Sequence, residues 1–156
     1  VPLSDTLVSN GGSGVASLSV SCSGYRFMRF RLKGRSTRTG ATTDTLIMTF
    51  NSDSNTRYGK NANALGSSFS IITSFTASNT NTDRMGGTSV EIDCGNSSWS
   101  TLRWFTNAPS STATTGVVLD LANGAYTTTT AITSVQLSMA NGNIADGSSL
   151  IFEGWA

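Results

Sequence analysis

The feature that most constrains this chain is a pair of alternating segments on either side of a polar connection between residues 25 and 58. Apolar residues occupy every second position in both: Met28, Phe30 and Leu32 in the first, and Leu46, Met48 and Phe50 in the second. A period of two residues is typical of a β-strand with one buried face. Residues 36–44 hold no large apolar side chain and predict an exposed connection. We therefore predict that these two strands form a β-hairpin at the centre of the fold.

The rest of the chain continues in short apolar or alternating segments separated by turn residues, with no window of helical periodicity. Including the two central strands, this pattern predicts about eight to nine short strands. We predict an all-β fold, an antiparallel β-sandwich of jelly-roll type spanning residues 15–156. Residues 1–14 are polar and rich in glycine, and we expect them to form a flexible or partner-docked arm.

The composition indicates the class of protein but says little about any reaction that it catalyses. A length of 156 residues is that of one domain with a proper core. Charged residues make up only 12% of the chain and the net charge is +1, so the surface must consist largely of small hydroxyl, amide and glycine residues. No apolar run is long enough to span a membrane, and no partner membrane is expected. No signal peptide is apparent, which favours synthesis in a cytoplasm or a signal already removed.

The two cysteines leave one question open. Cys22 and Cys94 would suffice for one disulfide, but isolated thiols at the ends of apolar segments are more often buried as small hydrophobic residues. A reducing compartment would also disfavour the bond.

Catalytic chemistry finds little support in the sequence. Histidine is absent, which removes the commonest general base near neutral pH and the commonest zinc ligand. Glu91 and Asp93 share one strand face and are a conceivable glycosidase pair, but solvated outer-face residues are the simpler interpretation. We expect no enzyme activity and no cofactor.

A metal site is suggested by the alternating oxygen ligands Asn51, Asp53 and Asn55. The glycine and the distal glutamate of a calcium loop are missing, however. A turn in which these side chains bond their own backbone is the simpler interpretation.

The one concentration of charge is a basic stripe, defined by five cations: Arg29, Arg31, Lys33, Arg35 and Arg38. The first four alternate with the apolar residues of the first strand, so we predict them on its other face. A nucleic-acid-binding protein would use such a stripe to contact phosphates, but the remainder of the chain balances the charge. We favour contact with an acidic neighbour in an assembly, since arginine suits interfaces and forked pairing with carboxylates. A plain solvated face is the alternative.

Aromatic residues offer a second type of surface. Trp99, Trp104 and Tyr58 are candidate glycan contacts, and Trp155 could join a sugar-stacking platform. Trp99 and Trp104 are an odd number of residues apart, so one regular strand would direct them to opposite faces.

The order of motifs resembles a jelly-roll module of tailed-bacteriophage virion proteins. The motifs are Tyr25-x-x-Met28-x-Phe30-x-Leu32, Arg35-Ser36, Leu46-x-Met48-x-Phe50-Asn51-x-Asp53, Tyr58, Ala131-Ile132-Thr133-Ser134-Val135 and Gly147-Ser148 before a last apolar strand. The resemblance covers about two-thirds of the chain, is weak between residues 77 and 116, and lacks the proline that often precedes the tyrosine.

The resemblance implies a non-enzymatic structural protein on the surface of the virion, made in the host cytoplasm and assembled as a symmetric oligomer. We expect a homotrimer that binds a major capsid protein or another virion protein as a head decoration or cement protein. The alternatives are a tail-fibre or tail-tip module that binds a host glycan, and a cellular or secreted carbohydrate-binding protein.

Overall fold

The computed structural model describes residues 4–9, 11–41, 43–60, 66, 68–76, 85–94, 100–109 and 117–156, which contain eleven strands and no helix. The strands are β1 (Ser4–Leu7), β2 (Ser17–Ser21), β3 (Phe27–Gly34), β4 (Thr43–Phe50), β5 (Tyr58–Lys60), β6 (Phe69–Thr76), β7 (Gly86–Asp93), β8 (Ser100–Pro109), β9 (Val117–Tyr126), β10 (Ser134–Met139) and β11 (Ser149–Trp155).

The strands form two sheets with antiparallel pairing throughout. The larger sheet has the order β1-β11-β3-β7-β8-β9-β5, and the smaller has the order β2-β10-β4-β6. The predicted all-β class and two-sheet architecture are therefore confirmed, with more strands than the eight or nine expected.

The predicted central hairpin is wrong. β3 pairs with β11 and β7, whereas β4 pairs with β10 and β6 in the other sheet. The alternation itself is confirmed, because Met28, Phe30 and the even-numbered apolar residues of β4 are buried. The two strands bury these faces from opposite sides of the shared core between the sheets.

Consecutive strands repeatedly cross between the sheets, and this crossing bears on the jelly-roll prediction. β1, β2, β3 and β4 alternate between the two sheets, as do β6 and β7, and again β10 and β11. β8 and β9 form an antiparallel pair that widens the larger sheet. Greek-key connections cross between sheets in this way, and the jelly-roll type stays our interpretation of the sandwich.

The core contains large aromatic side chains from both sheets. Phe30 of β3 and Phe152 of β11 stack with ring centroids 4.8 Å apart. At the other end of the core, Phe50, Tyr58 and Tyr126 form a second aromatic cluster with centroid distances of 4.9–6.0 Å. Aromatic contacts of this kind add stabilisation beyond the burial of apolar area.

Part of the predicted N-terminal arm belongs to the sheet. Ser4–Leu7, expected to be flexible or docked on a partner, form edge strand β1 on β11. Val8 follows in the core, and its backbone nitrogen donates to the carbonyl of Ser148 at 2.8 Å. The segment shows no apolar alternation because an edge strand with one partner is held mainly by its backbone hydrogen bonds.

Two polar clusters fix the connections between the sheets. Asn51, in a left-handed conformation with φ of 52°, accepts hydrogen bonds from the backbone nitrogens of Thr133 and Ser134. Asp44 is 1% exposed and accepts hydrogen bonds from the hydroxyl of Ser36 and the amide of Asn141, at 2.6 and 3.0 Å. Ser36, Asn51, Thr133 and Ser134, which belong to the motifs quoted above, thus hold the loops in place.

Candidate interaction surface

The outer face of the larger sheet carries a row of alternating charges. Glu153, Arg29, Glu91 and Arg103 lie directly opposite one another on the adjacent strands β11, β3, β7 and β8. The Nη2 atom of Arg29 is 2.8 Å from Oε1 of Glu91, and Nε of Arg103 donates to the other oxygen of that carboxylate. Arg31, one row away, pairs with Glu153 at 3.0 Å. We call the first four residues the charge row.

The charge row holds Glu91 in the ionised form. Partial burial alone would raise the pKa of Glu91, but the hydrogen bonds from Arg103 and Arg29 outweigh it and hold the pKa below its usual value. A carboxyl group kept ionised in this way makes a poor general acid. The conceivable pair of Glu91 with Asp93 therefore gains no support as a glycosidase site.

The structure divides the basic stripe. Arg29, Arg31 and Lys33 share the outer face of β3, as the alternation predicted, but the strand ends at Gly34. Arg35 and Arg38 lie in the connection towards β4, where the guanidinium of Arg38 donates to the carbonyl of Thr43 at 3.0 Å. Two of the three outer-face cations are already paired with glutamates, which leaves Lys33 as the outer-face cation of β3 without an acidic partner among the described residues.

Large apolar side chains are exposed beside the charge row. Phe105 of β8 is 48% exposed, and Leu121, directly opposite it on β9, is 80% exposed. Exposed apolar residues are ordinary when scattered, but adjacent ones on a flat sheet mark a surface suited to contact with another molecule.

A shallow groove of about 430 Å³ runs between Phe105 and the β3–β11 side of the same face. Its floor is β7, where Gly87 and Ser89 point outward between the buried neighbours of that strand. Arg31 and Lys33 form the opposite wall. We call this the β7 groove.

An aromatic pair occupies the other end of the face. Trp155 is 42% exposed, and its ring lies 5.3 Å from that of Phe27 at an interplanar angle of 50°. The guanidinium of Arg29 lies 5.8 Å from the centroid of Trp155. In strand register, Phe27 is followed by Asp93 and Thr101, so aromatic, carboxylate and hydroxyl groups lie side by side.

Two of the three predicted glycan contacts are buried. Trp104 and Tyr58 are 1% and 2% exposed, so neither ring can stack on a sugar, and that part of the prediction is wrong. Trp104 packs inward from β8, as odd-even alternation with the exposed Phe105 requires. Trp99 lies outside the described residues.

The suggested calcium loop is instead a hydrogen-bonded turn. Oδ1 of Asp53 accepts from the backbone nitrogen of Asn55 at 2.9 Å, and Oδ2 accepts from the hydroxyl of Tyr126 at 2.8 Å. These hydrogen bonds and the nearby Arg57 lower the pKa of Asp53. Both carboxylate oxygens are therefore engaged within the protein, and the described residues hold no cluster of three metal-ligating side chains.

Both cysteines are free thiols. Burial, with a smaller contribution from the nearby Cys94, raises the pKa of Cys22 to about 11. Burial likewise raises the pKa of Cys94. Thiols with raised pKa values carry little thiolate near neutral pH, which suits the interpretation of Cys22 as a small core residue.

Sequence reasoning missed the groove and the partners of the basic stripe. The two glutamates that pair with it lie 62 and 122 residues from their arginines in the chain, and no local pattern connects them. The outward glycine of β7 was detectable as Gly86-Gly87 at a strand start, but a glycine there signals an irregular strand as readily as an open surface.

Fold and surface together define a two-sheet β-sandwich with a charge-paired outer face. Comparisons with protein-family models, with curated proteins and with solved structures each find no match to this chain. Among the described residues, no helix is long and apolar enough to cross a membrane.

Proposed function

We propose that this chain is a non-enzymatic structural protein of a tailed-bacteriophage particle, located on the virion surface. It assembles as a homotrimer and acts as a head decoration or cement protein bound to the major capsid protein. The fold alone would fit many roles, so the proposal rests on the surface and on the motif resemblance.

The observation that carries the proposal is the pairing of exposed Phe105 and Leu121 beside the charge row. A sheet face that served only as a solvated exterior would gain nothing from two adjacent exposed apolar residues. An interface combines apolar contact with arginine-rich polar surroundings. Binding across subunit junctions then stabilises the assembled particle by mass action, without any reaction.

Imaging of intact phage particles with a gold-labelled antibody against this chain tests the placement. Label spread over the head supports the decoration role. Label confined to the tail contradicts it in favour of receptor binding, and particles without label contradict the virion role altogether.

Light scattering on the purified protein tests the assembly surface. We expect a trimer that Leu121→Asp converts to monomer, because a buried carboxylate at an apolar contact is costly. Leu7→Asp is the matched control, since Leu7 is 66% exposed at the sheet edge, away from Phe105. A wild-type monomer, or equal effects of the two variants, would contradict the proposed interface.

The aromatic pair supports glycan binding as a second candidate function. Trp155 is the one tryptophan exposed among the described residues, and it lies in a row with Phe27, Asp93 and Thr101. A tail receptor-binding module or a carbohydrate-binding protein would then show sugar-dependent quenching of tryptophan fluorescence. Trp155→Ala should abolish the quenching, and an unchanged response in that variant would contradict this assignment.

A further inference from the structure

We infer that the β7 groove is a docking site for an acidic segment of a partner protein, with one apolar side chain seated between Phe105 and β3. The groove lies on the β7 side of Phe105, whereas Leu121, the proposed contact between copies, lies on the β9 side, so the two sites are distinct. The inference rests on the proposed function only for the partner's location in a phage particle.

The groove has the size and shape for a side chain. Its volume of about 430 Å³ falls in the range of sites that hold small ligands. Phe105 lies two strands away from Arg31 across Ser89 in strand register, so the walls are roughly 10 Å apart by strand spacing. Ile151 of β11 continues the apolar surface beyond the cationic wall.

Charge complementarity selects an acidic occupant. Arg31 and Lys33 line the groove, and no carboxylate does so; Arg31 is paired with Glu153, so Lys33 supplies the positive charge that remains. Lys33 is exposed and has no acidic partner among the described residues, so a carboxylate from outside would give it one. A lysine at the edge of an apolar contact raises the association rate and orients the partner more than it raises the affinity.

Gly87 is the residue that most directly indicates an open floor of the β7 groove. Its φ lies outside the left-handed region, and an added Cβ would meet only the carbonyl oxygen of Leu32, at an ordinary 3.9 Å. Packing therefore does not require glycine, although a glycine within a strand weakens it. Any side chain at this position would point outward into the groove, so glycine here preserves the cavity.

The test is a titration of the isotopically labelled, full-length protein, followed by its backbone amide resonances. The probe is a short peptide of alternating glutamate and leucine, and the control probe replaces each glutamate by lysine. We expect the acidic peptide to shift the amides of Gly87 and Ser89, with affinity that falls as salt is added. The lysine peptide should leave them unchanged.

Two variants locate the binding. Gly87→Val should weaken the acidic peptide by at least about tenfold by filling the groove, and Lys33→Glu should do the same by reversing its charge. Because valine favours strands, Gly87→Val should unfold at the same or a higher urea concentration than the wild type. Ser19→Val places the same side chain at an exposed strand position of the smaller sheet, away from the groove, and should bind normally.

The docking site is overturned if the wild type shows no shift at Gly87 and Ser89, if both peptides bind alike, or if Gly87→Val binds as well as the wild type. Self-association that Gly87→Val abolishes would assign the groove to a second copy and overturn the acidic-partner assignment. If the antibody labels particles but the peptide shifts no amide, the groove assignment is overturned and the phage role stands. If the peptide binds but no particle is labelled, the phage role is overturned and the groove assignment stands.

Discussion

Glu91 of β7 lies directly opposite Arg29 of β3, and its Oε1 accepts hydrogen bonds from Nε and Nη2 of that arginine at 3.2 and 2.8 Å. The other carboxylate oxygen accepts from Arg103 on β8. One glutamate therefore connects three neighbouring strands through their side chains, in addition to the backbone ladder.

Glu91→Gln should lower the free energy of unfolding by about 1 kcal/mol, since it removes the charge from two cross-strand pairs that are partly exposed. Urea unfolding at neutral pH measures the change. Arg103→Gln should cost less, because that side chain is 75% exposed and only one pair is lost. In the double variant the two losses should not add. Full additivity would mean that the pair contributes nothing to stability.

The stabilisation from Glu91 should depend on pH. Its folded-state pKa lies below the ordinary value of 4.5, so its contribution is complete above about pH 4.5 and is lost as pH falls through the folded-state value. The difference in unfolding free energy between wild type and Glu91→Gln should therefore shrink in acid. Other carboxyl groups, such as Asp53, are present in both proteins and cancel. A difference that stays constant down to strong acid would contradict the lowered pKa.

Tyr58→Phe should destabilise the protein by about 1–2 kcal/mol. The hydroxyl of Tyr58 accepts from the backbone nitrogen of Phe50 at 3.0 Å and donates to the carbonyl of Asp53 at 2.8 Å, so both bonds are lost in a buried place. Tyr25→Phe is the matched control, because the half-buried Tyr25 contacts Phe152 through its ring. Chemical unfolding of the two variants should show a clear loss for the first and little change for the second.

Gly142→Ala should destabilise the connection between β10 and β11. An added Cβ would lie 2.5 Å from the hydroxyl oxygen of Ser36 and 2.6 Å from the backbone nitrogen of Arg38, closer than real contacts allow. Ser36 cannot yield easily, because it also donates to buried Asp44. Thermal unfolding should show a lower midpoint for this variant and an unchanged or higher one for Gly87→Ala, where the added atom has space. Equal midpoints would contradict the packing described.

In β3 and β4, the sequence by itself determined which side chains face inward. The period of two in β3 and β4 reports the direction of successive side chains, which is a local property of extended backbone, so the buried positions and the all-β class followed from it. The same locality explains why Arg29, Arg31 and Lys33 were correctly placed on one face.

Only the tertiary structure decided which strands pair and what surrounds each side chain. β3 and β4 are neighbours in the chain but lie in different sheets, where each pairs with two other strands and buries its apolar face in the shared core. The partners of the basic residues, the burial of Trp104 and the open floor at Gly87 all depend on strands brought together from distant parts of the chain. Such contacts are set by the packing of the whole core, which a local pattern does not encode.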